Sequence, residues 1–280
     1  MKRRVKLDGL ELDCEIRGTG EPVVLVHAGV FAEWFTPLVD QAALRPYRVV
    51  SFHRAGYAGS SRAAGPLSIA QQAACVRALM VHLDVGRAHV AGHSDGGNIA
   101  LQLALDAPEM VHTLALLEPA LPVAPSGSER LLATRAGAMA SVMERFRAGD
   151  KAAAVDGFMR IVAGPSYRAA FDRALPGAFD RAVADADTFF TQNLPAVQQW
   201  AFTREDASRI TQPALAVMGE KSKDVSPIWI ERQNMLVTWL PRAEPFVLAD
   251  ATHLLHVENP RGMAEALAGF FQRYPLSRSR

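Results

Sequence analysis

One serine stands where a nucleophile would. Ser94 lies in Gly92-His93-Ser94-Asp95-Gly96-Gly97, which contains the pattern Gly-x-Ser-x-Gly. Arg87-Ala88-His89-Val90-Ala91 leads in with strand character, and Asn98-Ile99-Ala100-Leu101-Gln102-Leu103-Ala104-Leu105 leads out with helical periodicity. That strand–turn–helix setting is what a nucleophile elbow requires: small neighbours let the backbone double back and carry the serine on a tight, strained turn. The short pattern recurs by chance, so the flanks carry the argument. A free hydroxyl is a poor nucleophile. The chemistry therefore needs a base within hydrogen-bond reach, and a third group that orients the base and stabilises it once protonated.

The rest of the chain has to position those groups. Val5-Lys6-Leu7-Asp8 and Leu10-Glu11-Leu12-Asp13-Cys14-Glu15-Ile16 alternate about Asp8-Gly9, which predicts an antiparallel hairpin at a sheet edge. Val23-Val24-Leu25-Val26 is a continuous apolar run, as in a strand buried on both faces. Further strands are predicted at Tyr47–Phe52, Val111–Leu117, Pro213–Met218 and Glu244–Leu248. Helices are predicted around Glu33–Leu44, over 68–84 with Ser68 as N-cap, and at 226–240 and 260–273. Strands alternating with helices imply right-handed crossovers and a mainly parallel sheet. Residues 120–209 break the rhythm. Pro122 to Ser128 reads as a loop, helix-like blocks follow near 128–148, 150–163, 166–174 and 178–191, and no strand pattern is present. The expected organisation is a core of residues 1–119 and 210–280 with an all-helical cap over 120–209, and a frayed tail at Ser277-Arg278-Ser279-Arg280.

Composition excludes several classes. With 280 residues, 49% hydrophobic, the chain suits one large α/β domain or a core with a smaller lobe. Thirty Lys and Arg against 29 Asp and Glu leave a net charge of +1, so there is no electrostatic footprint for nucleic acid or an anionic membrane. Lys2-Arg3-Arg4 is followed by no apolar run, so no signal peptide is read, and no stretch reaches the roughly 18 apolar residues of a membrane span. Cys14 and Cys75 form no spacing motif and read as buried free thiols of a reducing compartment, which points to a cytoplasmic protein.

Taken together, several segments resemble the α/β-hydrolase superfamily over nearly the whole length. They are His27-Ala28-Gly29, Arg54-Ala55-Gly56-Tyr57-Ala58-Gly59-Ser60, Gly92 to Gly97, and Ala251-Thr252-His253 with Glu258-Asn259-Pro260. The resemblance implies an eight-stranded sheet with helices on both faces and a cap inserted after the sixth strand. It implies Ser94 as nucleophile and His253, in the loop after the last strand, as base. His256, His93, His27 and His89 read as packing or strand-end residues. The orienting acid has two known positions in the superfamily. The one after the seventh strand, Gly-x-x-Asp, reads Gly219-Glu220-Lys221-Ser222 here, with Asp224 two residues late; the one ending the sixth strand holds Glu118. A carboxylate closing a buried strand needs a partner, so Glu118 is favoured and Asp224 kept as the alternative. The oxyanion hole would use the backbone N–H groups of Asp95 and of Gly29, or Val30. Dehalogenases and epoxide hydrolases on this fold use an Asp nucleophile, but Asp95 is one residue off the elbow position and suits the helix N-terminus.

The resulting expectation is a serine hydrolase that cleaves an ester or lactone of an apolar small molecule, without metal or organic cofactor. Val30, Trp34, Phe189, Phe190, Trp200 and Phe202 are the pocket candidates, with Phe31 and Phe35 near the oxyanion loop; Met139, Met143 and Met159 are weaker ones. Arg135, Arg145 and Arg147 read as a solvated helix face. Carbon–carbon hydrolysis of a diketone, perhydrolase, haloperoxidase-like or cofactor-free oxygenase chemistry, and a non-catalytic ligand-binding module remain alternatives. The sequence carries no signal for oligomeric state.

Overall fold

The computed structural model describes residues 1–122 and 129–276, with only the backbone of 129–132. Most of the expected loop up to Ser128, and the expected tail at 277–280, lie outside the described residues. Eight strands form one sheet: β1 (Lys2–Leu7), β2 (Leu10–Arg17), β3 (Pro22–Val26), β4 (Arg48–Phe52), β5 (Ala88–His93), β6 (Val111–Leu117), β7 (Ala214–Gly219) and β8 (Ala243–Leu248). Their order is β1-β2-β4-β3-β5-β6-β7-β8. β1 and β2 pair antiparallel, β2 joins β4 antiparallel, and every pair from β4 to β8 is parallel.

The sheet is buried on both faces, and alternation along the central strands sorts their side chains. Val24 and Val26 of β3, Val90 of β5, and Leu114 and Leu116 of β6 pack into one core with the helices Ile69–His82 and Asp95–Asp106. Val23 and Leu25, Ala91, and Ala115 and Leu117 pack into the other, against the helix Pro260–Arg273. This is the period-2 sorting that a pleated strand imposes. The continuous helix expected around Glu33–Leu44 is absent; a four-residue helix, Thr36–Val39, and a 3-10 turn, Ala42–Leu44, stand in its place. Trp34, Phe35, Leu38, Val39 and Leu44 are buried along that segment, so burial there follows an irregular path instead of a helical stripe.

Between β6 and β7 the described residues form helices and no strand: Glu129–Arg147, Lys151–Ala163, Tyr167–Ala174, Ala178–Ala184, Ala186–Thr188, Leu194–Gln199 and Arg204–Arg209, with a π-helical turn at Phe189–Asn193. Most of them share a third core in which Val155, Met159, Phe171 and Phe190 surround Phe31 and Trp34 from the loop after β3. Among the described residues no helix is long and apolar enough to cross a membrane.

The turn from β5 into the helix Asp95–Asp106 is strained at Ser94, whose φ is 52° and ψ is −123°. Space decides what can flank it. A Cβ on Gly92 would meet the Gly96 carbonyl oxygen at 2.3 Å, and one on Gly96 would meet the Val26 oxygen at 2.2 Å and the His27 oxygen at 2.6 Å. Both obstacles are backbone, which cannot rotate away. Gly96→Ala should therefore lower stability at the upper end of the roughly 1–3 kcal/mol of overpacking, or beyond it. A urea midpoint equal to that of the wild type would contradict the close approach.

Candidate active site

Ser94 is partly exposed at the top of the elbow, and its backbone is held from both sides. Its N–H donates to the Leu117 carbonyl at 3.0 Å, and its carbonyl accepts from Gly97 N at 2.8 Å and Ala120 N at 3.2 Å. His253 sits in the loop after β8. Glu258 fixes that loop, accepting from Thr252 N at 2.6 Å and Thr252 Oγ1 at 2.9 Å, while Lys221 N donates to the Ala251 carbonyl at 2.8 Å. His93, directly before Ser94, donates from Nε2 to the His253 carbonyl at 3.0 Å.

Glu118 follows β6 with a φ of 43°, a conformation that is costly for a residue with a side chain. The turn aims its carboxylate sideways under β7 and β8. Oε2 accepts from His253 Nδ1 at 2.7 Å, and Oε1 accepts from Gly219 N at 2.8 Å. Asp224, the alternative acid, is exposed on the short helix Ser222–Val225. The structure thus brings Glu118, and not Asp224, to His253. Nδ1 carries the donated proton, which leaves the Nε2 lone pair for the cavity. Ser222 occupies the slot three residues after Gly219; it is fully buried and lies close enough to pull the Glu118 pKa down.

Burial governs the charge states. It pushes the Glu118 carboxyl up, to about 7, against the opposing pull of Ser222, Gly219 N–H and Arg232. It pushes His253 down, to about 3, and the cations Arg232 and Arg135 reinforce that direction. The resting imidazole is therefore neutral and able to accept a proton. Trp229 stacks on the ring of His253 at 4.1 Å between centroids, and the Arg232 guanidinium lies 5.0 Å from the Trp229 ring centroid.

Ser94 and His253 line one cavity of about 150 Å³. Val30, Trp34 and Phe189 line it as expected from the sequence. Phe190, Trp200 and Phe202 do not. Phe190 packs on Phe146 and Phe189 inside the helical layer, while Trp200 stacks on Phe202 in a sheet core and donates to Gln102 Oε1 at 2.8 Å. Phe31 stacks on Phe171, and Phe35 on His256. Met139 and Met159, the weaker candidates, also line the cavity, while Phe158, Trp229 and Arg232 are walls that the sequence reading missed. Arg135, read as solvated, is partly buried and also lines the cavity. Spacing offered one usable signal, Trp229-Ile230-Glu231-Arg232, which sets the ring and the cation on one helix face.

The backbone amides expected from the sequence to meet an oxyanion differ in how far they are engaged. The Gly29 amide donates to Asp95 Oδ1 at 2.5 Å and is already engaged. The Val30 amide has only a long contact, 3.4 Å to the Tyr57 hydroxyl, and Val30 is held at a φ of 72°. The Asp95 N–H belongs to the first helical turn, where amides lack an intrahelical acceptor. The Asp95 carboxylate also accepts from Arg54 Nη2 at 2.8 Å and Asn193 Nδ2 at 3.2 Å. Among the described residues no group of three or more His, Cys, Asp or Glu is arranged to hold a metal ion.

Comparison with known proteins places this geometry. The profile of the alpha/beta hydrolase family matches residues 23–266. A putative carbamate hydrolase, RutD, of Azorhizobium caulinodans is 37% identical over 108 residues, a stretch that covers 38% of this chain and 40% of that protein. The chain spans 40% or less of the length of the first curated relatives it matches. In structure it is similar to the enol-lactonase of Burkholderia xenovorans, with a TM-score of 0.77 and 22% identity over 96% of this chain and all of that one. Est816, an N-acyl homoserine lactone degrading enzyme, is similar at a TM-score of 0.71 and 24% identity, again over 96% of this chain and all of that one. At these identities the structural likeness is one of fold.

Four buried histidines give the site a pH signature. Burial holds His27, His93, His253 and His256 well below the ordinary histidine value. Each is neutral when folded and takes a proton only on unfolding, so its contribution to stability is present above about pH 6.5 and lost below it, at about 1.4 kcal/mol per pH unit. Glu118, raised, works in the opposite direction between about 7 and its ordinary value, but it is one group against four. The urea midpoint at about pH 5 should fall well below that at pH 7.5. Equal midpoints would refute the buried neutral imidazoles.

Proposed function

The chain belongs to the alpha/beta hydrolase family, and from that premise we propose that it is a serine hydrolase acting on an ester or lactone of a small molecule. The observation that carries the reading is the 2.7 Å bond from His253 Nδ1 to Glu118, at a histidine that shares one cavity with a serine on a strained elbow. The lactone option is included because Est816 and the enol-lactonase, both similar in fold, are lactone-acting proteins by description.

In this reading Ser94 Oγ attacks the carbonyl carbon and His253 Nε2 takes its proton. The imidazolium is stabilised by Glu118, whose carboxylate stays ionised on the Nδ1–H. Charge gathering on the carbonyl oxygen is met by the N–H groups of Asp95 and Val30, preorganised dipoles that need no rearrangement. The intermediate collapses, Nε2 returns the proton to the leaving alkoxide, and the acyl group remains on Ser94. Water, giving its proton to His253, then releases the acid and restores the serine. With a lactone the alkoxide stays tethered to the acyl group, so one product leaves. Apolar walls at Met139, Phe158 and Phe189 suit the hydrocarbon part of such a substrate.

A fluorophosphonate probe should label Ser94 in the folded protein and leave the Ser94→Ala variant unlabelled; absence of a Ser94 adduct would sink the reading. The acid assignment has its own test. Glu118→Gln should cut kcat by about 10³–10⁴, as expected when the base loses the group that fixes its tautomer. Asp224→Asn should stay within about twofold of the wild type. Equal losses would remove Glu118 from the role.

A further inference from the structure

We infer that Arg135 and Arg232 form an anion subsite in the cavity beside Ser94, and that the substrate is a small ester or lactone carrying a free carboxylate. This deepens, and rests on, the serine hydrolase reading of the same cavity.

The two guanidinium groups come from separate helices, Glu129–Arg147 and Ile228–Trp239, and meet in the wall of one cavity with Ser94 and His253. Each is anchored by neutral partners. Arg135 Nη1 donates to Ser226 Oγ at 2.8 Å, and Arg232 Nε donates to the Leu121 carbonyl at 3.1 Å. Neither is seen in an ion pair with a carboxylate among the described residues, while the charges of Glu118 and Glu231 reach Arg232 from nearby. Asp95, the one carboxylate lining the cavity among the described residues, is occupied by Gly29, Arg54 and Asn193, and Glu118 by Gly219 and His253. The site therefore places two like charges together in a partly dehydrated space. Burial first and then Arg135 pull Arg232 down to about 10, against the smaller opposing pull of Glu118 and Glu231. Such an arrangement is costly unless an anion joins it.

The planar fork of arginine fits a carboxylate through paired N–H donors. The cavity, at about 150 Å³, is below the roughly 300–1,000 Å³ that drug-sized ligands fill, so a compact acyl chain ending in a carboxylate is the fitting class. Trp229 contacts both His253 and Arg232, so one indole ties the base and the cation to the same wall of the cavity. A substrate bound there has its reacting carbonyl at Ser94 and its charge at the arginines.

The test compares 4-nitrophenyl half-glutarate with the 4-nitrophenyl ester of 5-methylhexanoic acid, a neutral ester of the same shape. Wild-type kcat/KM should favour the half-glutarate by about 10-fold or more, the size of a charge-assisted pair. Arg232→Gln and Arg135→Gln should each erase about 10-fold of that advantage in kcat/KM, cost the half-glutarate far more than the neutral ester, and be partly rescued by the lysine variants. Equal turnover of the two esters by the wild type, which requires no variant to fold, would overturn the subsite. So would arginine variants that slow both esters alike. A matched phosphonate ester preferred over the half-glutarate would overturn the carboxylate assignment. If neither ester turns over and Ser94 takes no fluorophosphonate, the hydrolase reading fails instead. Glutarate binding by calorimetry then decides the subsite: binding lost in Arg232→Gln supports it, and no binding to the wild type overturns it.

Discussion

The buried carboxylate of Asp95 is the constraint on which the site geometry depends. It is only 4% exposed, and a charge there is tolerable only if its oxygens are filled. Three donors fill them: Gly29 N from the loop after β3, Arg54 Nη2 from the loop after β4, and Asn193 Nδ2 from the π-helical turn. Arg54 in turn bonds Gln72 Oε1 at 3.1 Å, and its own amide donates to His27 Nε2 at 2.9 Å. One residue after the nucleophile thus binds three separate stretches of chain to the elbow. Removing a partner from a buried pair of this kind costs about 3–5 kcal/mol, because the remaining charge stays buried. The same economy of donors explains why the Gly29 amide faces Asp95.

The π-helical turn shows how the helical layer is tied to this node. The Leu194 amide reaches back to the Phe189 carbonyl, which widens the turn. Phe189 and Asn193, at its two ends, both reach the site: the ring lines the cavity and the amide meets Asp95. Thr188, just before, donates to the Gly56 carbonyl at 2.8 Å, and Asp185 accepts from Ala58 N at 2.8 Å. Local departures from α geometry of this kind gather where backbone must serve a site.

The strands and the elbow were legible because two-sided burial leaves a direct trace, a period of two bounded by turn residues, and because the Gly-x-Ser-x-Gly flanks restrict where the backbone can reverse. The pairing of Glu118 with His253 was legible as a choice between two positions. β6 and β7 run parallel, with Leu117 beside Val217, so a carboxylate just past β6 reaches the amide of Gly219. That settles why Ser222 can stand where an acid might. The pocket was less legible. Periodicity reports that Trp200, Phe202 and Phe190 are buried but carries nothing about what they are buried against. Arg135 misled for the converse reason, since an arginine on a mostly polar helix reads as solvated until a second helix covers it. The segment at Glu33–Leu44 failed because its apolar residues fit a helical count while an irregular chain buries them better.

The charges around His253 give the last link between packing and chemistry. The charge of Asp95 favours a proton on the imidazole, whereas burial, Arg232 and Arg135 oppose it. Burial, with the cations, prevails, and the base rests neutral. On the proposal above, a bound carboxylate offsets the cations and so raises the affinity of His253 for the proton that Ser94 must surrender. Linkage makes this reciprocal: whatever strengthens the imidazolium strengthens anion binding by the same factor. The arginines would then act on selectivity twice, by holding the charged end of the substrate and by making the base stronger only when that end is in place. A neutral ester in the same cavity would meet a weaker base, which is a physical reason for the subsite to act on rate as well as on affinity.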